Sequence, residues 1–226
     1  ILCFGRPIAL GDSEEYFDAI LYAWHSGTMT AESAAAIISG EVNPSGRLPM
    51  SFARAVGQIP IYYNNNKTGR RSGSYYGENN VWVNSYQDIP ATPLYPFGYG
   101  LSYTEFEYSD IIVDSLSVTT AELRNGKKLA VSVKVKNVGT REGMETVQCY
   151  INNKAPGMAR PIRELKGFCK LKLAAGEEKK AVFYLGFDEL GFYGTNGHFD
   201  VKPSEYEVYV GKSCYANHKT IFKIKQ

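Results

Sequence analysis

From Leu129 onward the chain alternates between apolar and polar positions. Leu129, Val131, Val133 and Val135 are separated by Ala130, Ser132 and Lys134. The same two-residue period returns in Val147, Cys149 and Ile151, in Ala181, Phe183 and Leu185, in Tyr206, Val208 and Val210, and in Phe222 and Ile224. Successive side chains on a strand point to opposite faces, so each run predicts a strand with one apolar and one wet face. Turn residues separate the runs: Asn125-Gly126, Asn137-Val138-Gly139, Ala175-Gly176-Glu177 and Asn196-Gly197. Strands at this spacing across residues 104–226 predict an immunoglobulin-like β-sandwich.

The first half has a different rhythm. Ile1 to Phe4 is a short apolar run ending at Gly5, the pattern of a parallel strand buried on both faces. Asp12 or Ser13 can cap a helix with Glu14 and Glu15 in its first turn, and Phe17, Ile20, Leu21 and Trp24 follow at helical spacing. Residues 19–24 read equally as a second buried strand. Thr28 or Thr30 then caps a helix over Ala31 to Ser39 that stops at Gly40, and Asn43-Pro44-Ser45-Gly46 is a turn. Strand and helix in alternation predict an α/β layer, but only one or two of its strands are present, which leaves an apolar strand face short of neighbours. Residues 64–93 are Asn, Gly, Ser and Tyr text without periodicity, hence loop. The boundary is Leu94 to Tyr108, where Pro96, Gly98 and Gly100 lie among aromatic side chains. That stretch reads as an aromatic interdomain turn or, alternatively, as a platform on which sugar rings stack.

Composition narrows the function. With 44% hydrophobic and 21% charged residues the chain is globular. A net charge of +2 without a Lys/Arg stripe interleaved with aromatics argues against a nucleic-acid partner. No run approaches the ~20 apolar residues of a membrane span. Cys3, Cys149, Cys169 and Cys214 have no metal-ligand spacing; Cys149 and Cys169 fall on neighbouring predicted strands, where a bridge or two separate thiols would both fit. His25 has no second histidine or carboxylate at ligand spacing, so no metal is expected. The carboxylates Glu142, Glu145, Glu164 and Glu177 are expected to be solvated at strand ends and turns. Arg160 and the Arg163-Glu164 pair are candidates for an ion pair with a neighbouring domain. The abrupt opening inside a strand-like run suggests a cut from a longer protein.

Several motifs, in order, carry a resemblance. Tyr95-Pro96-Phe97-Gly98-Tyr99-Gly100-Leu101-Ser102-Tyr103-Thr104 is similar to the signature that ends the second catalytic domain of glycoside hydrolase family 3. Asn43-Pro44-Ser45-Gly46-Arg47-Leu48-Pro49 and Gly57-Gln58-Ile59-Pro60-Ile61-Tyr62-Tyr63 resemble its bacterial periplasmic β-glucosidases. Asn137-Val138-Gly139, Arg160-Pro161, Glu164-Leu165-Lys166-Gly167-Phe168 and Ala175-Gly176-Glu177 resemble the family's fibronectin III-like domain. Both tryptophans, Trp24 and Trp82, lie outside residues 104–226, so the Cys-Trp-Cys core of antibody domains is absent, consistent with that variant.

The resemblance implies a mainly β fold, with a fibronectin III-like sandwich preceded by a fragment of an α/β sandwich domain. Residues 1–63 would be the α/β remnant, 64–103 the loop and signature, and 104–226 the sandwich. It further implies the C-terminal accessory part of a retaining exo-glycosidase acting on β-linked glucosides or xylosides. Such an enzyme uses two carboxyl groups ~5–5.5 Å apart. In the family the nucleophilic Asp belongs to a barrel domain and the acid/base Glu lies before the strand that opens this chain, so no catalytic residue is expected here. Arg70, Tyr86 and Asp88 fall where related enzymes carry Gly-Arg and Tyr-x-Asp at the substrate rim, although Arg71 replaces the family's usual proline. No cofactor is implied; the partners would be the upstream catalytic domains of the same polypeptide and a β-linked oligosaccharide, in the periplasm or outside the cell. A carbohydrate-binding module is a second reading. An adhesion-type interaction sandwich is a third, which leaves residues 1–93 without a purpose.

Overall fold

The computed structural model describes residues 1–66, 86, 88–155 and 159–226. The chain divides into two units, residues 1–63 with 70–103, and residues 64–69 with 104–226.

In the first unit, Leu2 bridges Tyr22 in the parallel sense, which selects the strand alternative for residues 19–24. One bridging partner cannot cover both faces, so Ile1 and Phe4 are exposed rather than buried. The expected helix after Asp12 is only a 3-10 turn, Gly11–Tyr16, preceded by Leu10 and ended by Phe17 in extended conformation. The apolar spacing beyond it therefore never becomes helical. Helix α1, Thr30–Ile38, forms where the Ala-rich run predicts it. Its N-cap position is Met29, without a side-chain cap. Thr30 Oγ1 instead donates to the Gly27 carbonyl at 2.6 Å, and Gly40 follows the helix at φ +77°.

The second unit is a β-sandwich. One sheet holds β1 (Phe106–Val113), β3 (Leu129–Asn137) and β6 (Glu178–Leu185) in the order β1-β3-β6. The other holds β2 (Ser117–Thr119), β4 (Gly143–Asn153), β5 (Glu164–Leu173), β9 (Ser204–Gly211) and β10 (His218–Lys225) in the order β2-β10-β9-β4-β5. A small hairpin, β7 (Phe192–Tyr193) with β8 (Phe199–Asp200), stands apart. Pairing is antiparallel except between β2 and β10. A short helix α2, Thr120–Arg124, follows β2 and starts with a capping box, Thr119 Oγ1 accepting from the Glu122 amide while Glu122 accepts from the Thr119 amide. Another, α3 (Phe187–Leu190), follows β6.

The alternating positions all turn inward. Leu129, Val131, Val133, Val135, Val147, Cys149, Val208 and Val210 are fully buried, and Tyr206 stacks on Phe222 with ring centroids 5.3 Å apart. Each such aliphatic side chain contributes about 1.5–3 kcal/mol by leaving water.

Two local expectations change, and the cysteine alternatives are decided. Glu145 is not solvated; it is fully buried and accepts a hydrogen bond from Tyr108 at 2.7 Å. It shares the odd-numbered parity of Val147, Cys149 and Ile151, which directs its side chain into the sandwich. The cysteines follow the separate-thiol alternative, with none of the four in a disulfide. Cys169 lies opposite Val147 and Cys149 opposite Gly167, so the two are diagonal neighbours, ~7–8 Å apart in such a ladder, beyond the ~4.4–6.8 Å span of a disulfide. Burial pushes the Cys149 thiol up to about 12. Arg163, finally, is held inside the sandwich unit. Its guanidinium lies 3.3 Å from the Tyr209 ring centroid and donates to the Ala216 carbonyl at 2.9 Å. Arg160 rests 4.2 Å over Phe192 and 3.7 Å from Glu164.

Candidate functional site

The aromatic signature folds back on the strand-like segment before it. The Leu48 amide donates to the Tyr99 carbonyl and the Gly98 amide to the Leu48 carbonyl, both at 2.8 Å. Phe52 and Tyr95 form an antiparallel bridge, with the Phe52 amide on the Tyr95 carbonyl at 2.8 Å. Two glycines permit this. Gly98 sits at φ +81°, a left-handed conformation that side chains resist. A Cβ on Gly100 would come 2.5 Å from the Gly46 carbonyl oxygen, so the Asn43–Gly46 turn can approach only a bare backbone.

The rings then pack on one another. Phe52 is 2% exposed and meets Tyr22 edge-on at 5.0 Å, Tyr95 stacks on Tyr99 at 5.2 Å, and Tyr63 stacks on Phe97 at 4.2 Å. The Tyr95 hydroxyl donates to Glu14 at 2.8 Å; burial and that carboxylate together push its ionisation up to about 12. The stretch is thus an internal aromatic brace, which favours the turn reading over the sugar platform.

Of the substrate-rim candidates, Tyr86 and Asp88 lie in the segment leading into this brace. Arg70 falls outside the described residues. Tyr86 is exposed and its hydroxyl donates to the Gly57 carbonyl at 3.4 Å, and Asp88 is exposed. Gln58, to which the sequence reading gave no role of its own, holds the loop. It is 2% exposed, accepts from the Arg54 amide at 2.6 Å and donates to the Pro90 carbonyl at 2.7 Å. Arg54 Nε adds a bond to the Thr92 carbonyl at 3.1 Å. For Gln58, the position between Gly57 and Ile59-Pro60 was the available signal. The 54–58 segment therefore holds Tyr86 directly and, through Gln58 and Pro90, the loop that carries Asp88.

This arrangement can accept and donate hydrogen bonds to a polar ligand. Proton transfer to a leaving group at neutral pH needs a carboxyl whose ionisation is raised. The perturbed carboxyls among the described residues, Glu122, Glu177, Asp200 and Glu207, are all shifted downward. Among the described residues no three His, Cys, Asp or Glu side chains group as metal ligands. The His25 ring lies against Gly5, where a Cβ would sit 2.5 Å from Nε2, a packing role.

Residues 1–103 match the glycosyl hydrolase family 3 C-terminal domain, and residues 145–214 match a fibronectin type III-like domain. The chain is 42% identical, over 93% of its length, to a periplasmic beta-glucosidase from Salmonella typhimurium, and 38% identical over its full length to a putative beta-xylosidase from Formosa agariphila. It covers 27% and 28% of those two proteins. A mutant beta-glucosidase from Listeria innocua, solved in complex with laminaribiose, superimposes on the whole chain with a TM-score of 0.89 at 36% identity; the chain covers 30% of that protein. Two family matches in chain order, on an aromatic brace and a fibronectin III-like sandwich, place the chain in glycoside hydrolase family 3, as its C-terminal domain followed by its fibronectin type III-like domain.

Proposed function

We propose that this chain is the accessory part of a retaining β-glucoside or β-xyloside hydrolase, exported to the periplasm or beyond. The observation that carries the reading is identity of 38–42% to a β-glucosidase and a putative β-xylosidase along nearly the whole chain. The name of the first relative supports the periplasmic location. In this reading the nucleophile and the acid/base residue belong to upstream domains of the same polypeptide. The sandwich buttresses those domains. Arg70, Tyr86 and Asp88 form part of the rim that contacts a β-linked sugar.

Asp88 is the best placed to matter, since it is exposed and a carboxylate can accept from two sugar hydroxyls at once. The test uses the intact enzyme on aryl β-glucoside and aryl β-xyloside. Asp88→Ala should lower kcat/KM about 10–100-fold, the worth of a charge-assisted hydrogen bond, without moving the unfolding midpoint. Residues 1–226 alone should give no turnover. Unchanged kcat/KM on both substrates would remove Asp88 from the rim, and an intact enzyme inactive on both would overturn the activity itself.

A further inference from the structure

A cleft of about 430 Å³ opens at one end of the sandwich, between the start of β1 and the loop Gly211–His218 that joins β9 to β10. Its volume falls in the ~300–1,000 Å³ range of small-molecule sites. Its geometry is fastened from below. Tyr108, 9% exposed, stacks on His218 with centroids 5.7 Å apart, and its hydroxyl is anchored on the buried Glu145 at 2.7 Å. The loop is tied down by Gln148 Nε2 on the Lys212 carbonyl at 2.6 Å and by the buried Arg163 on the Ala216 carbonyl at 2.9 Å. Inside the loop, Ser213 accepts from the Tyr215 amide through its hydroxyl and from the Ala216 amide through its carbonyl. Cys214 and Ala216 are buried, which leaves Tyr215 and Asn217 on the outer side. A loop held in this way loses little freedom when a ligand arrives.

The lining has a particular chemistry. Glu107 offers acceptors, Lys212 offers donors, the Asn217 amide offers both, and Tyr215 adds a partly exposed aromatic face. Glu107 and Lys212 cancel in charge, so there is no single-sign field to concentrate a phosphate or an ammonium. A pyranose matches this set, because each hydroxyl both donates and accepts and the C–H face of the ring lies flat on an aromatic surface.

We propose that the cleft between β1 and the β9–β10 loop binds a neutral mono- or disaccharide, with Tyr215 as the stacking surface and Glu107 and Asn217 as hydroxyl partners. The proposal stands on the sandwich alone and does not depend on Asp88 or on the hydrolytic reading.

The test is a two-dimensional NMR titration of the ¹⁵N-labelled chain with D-glucose, cellobiose and xylobiose, and separately with inorganic phosphate. At least one of the sugars should shift the amide signals of Glu107 and of residues 212–218, with a dissociation constant on the order of 1–10 mM. Tyr215→Ala and Asn217→Ala, both on the exposed side of the loop, should bind about tenfold more weakly with the same unfolding midpoint. The wild-type shift map alone decides the location, whatever the variants do to folding. Sugars that leave these amides unmoved overturn the proposal. So does phosphate moving them where sugars do not, or equal sugar affinity in well-folded variants.

Discussion

Asn137 is the residue on which one end of the sandwich closes, and its removal should be costly. The side chain is fully buried at the end of β3. Its carbonyl oxygen accepts from Thr104 Oγ1 at 2.7 Å and from the Gly139 amide at 3.1 Å, while its Nδ2 donates to the carbonyls of Arg141 at 2.8 Å and Leu173 at 3.1 Å. One amide thus joins the chain entering β1, the β3–β4 turn and the end of β5. Gly139 completes the arrangement, since a Cβ there would come 2.2 Å from Thr104 Oγ1 and displace that hydroxyl. Asn137→Ala removes all four bonds in a site closed to water. At about 1 kcal/mol net for each bond the loss is ~4 kcal/mol. A domain of this size has roughly 6–18 kcal/mol in all, so the sandwich should still fold, with its midpoint lowered by about 10–15 °C. Asn137→Asp separates the donors from the acceptors. It keeps the two accepted bonds but sets a carboxylate against two carbonyl oxygens, which raises its ionisation in the folded state. That variant should be most stable at acid pH and should lose stability as pH rises through the raised value. Thermal and urea unfolding followed by far-ultraviolet circular dichroism would read both effects. A loss below about 1 kcal/mol for Asn137→Ala would show that the bonds are worth far less than the ~1 kcal/mol each assigned to them.

Two further outcomes follow from the sandwich. Among the described residues its buried cluster is drawn from residues 106–224, so residues 104–226 expressed alone should unfold in a single cooperative transition; a broad, non-cooperative melt would mean that the core needs the other unit. Burial opposes ionisation of Glu207, but hydrogen bonds from Lys154, Tyr209 and Lys219 outweigh it and hold the carboxyl down at about 2. Because that lies below the ordinary ~4.3, the stabilisation is present above the unfolded-state value and is lost as pH falls from about 5 toward 2. Glu207→Gln should therefore flatten the acid side of a melting-temperature profile, and parallel profiles for the two proteins would refute the linkage.

Much of the sandwich was legible because a strand's side-chain period is two and its inner face must be apolar. Val131, Val133, Val147, Val208 and Ile224 declared their faces without any knowledge of their partners. The same parity held the answer for Glu145, yet residue chemistry pointed outward, and the carboxylate's burial goes with a hydrogen bond from the hydroxyl of Tyr108 on another strand. In the first half the signal was weaker for a physical reason. Apolar residues at 17, 20, 21 and 24 suit a helix or a buried strand alike, and the bridge from Leu2 to Tyr22, made by residues far apart in the chain, chose between them. The rim candidates were suggested by local motifs, but Gln58 owes its role to a carbonyl more than thirty positions away at Pro90. The chain's own order of apolar, turn and aromatic residues determined the strands, the inward faces and the family. Register, which sets Cys149 beside Gly167 instead of Cys169, and the long-range hydrogen bonds that bury Glu145, Asn137 and Arg163 were decided by tertiary structure, because a buried polar group is tolerated only where partners from distant segments converge on it.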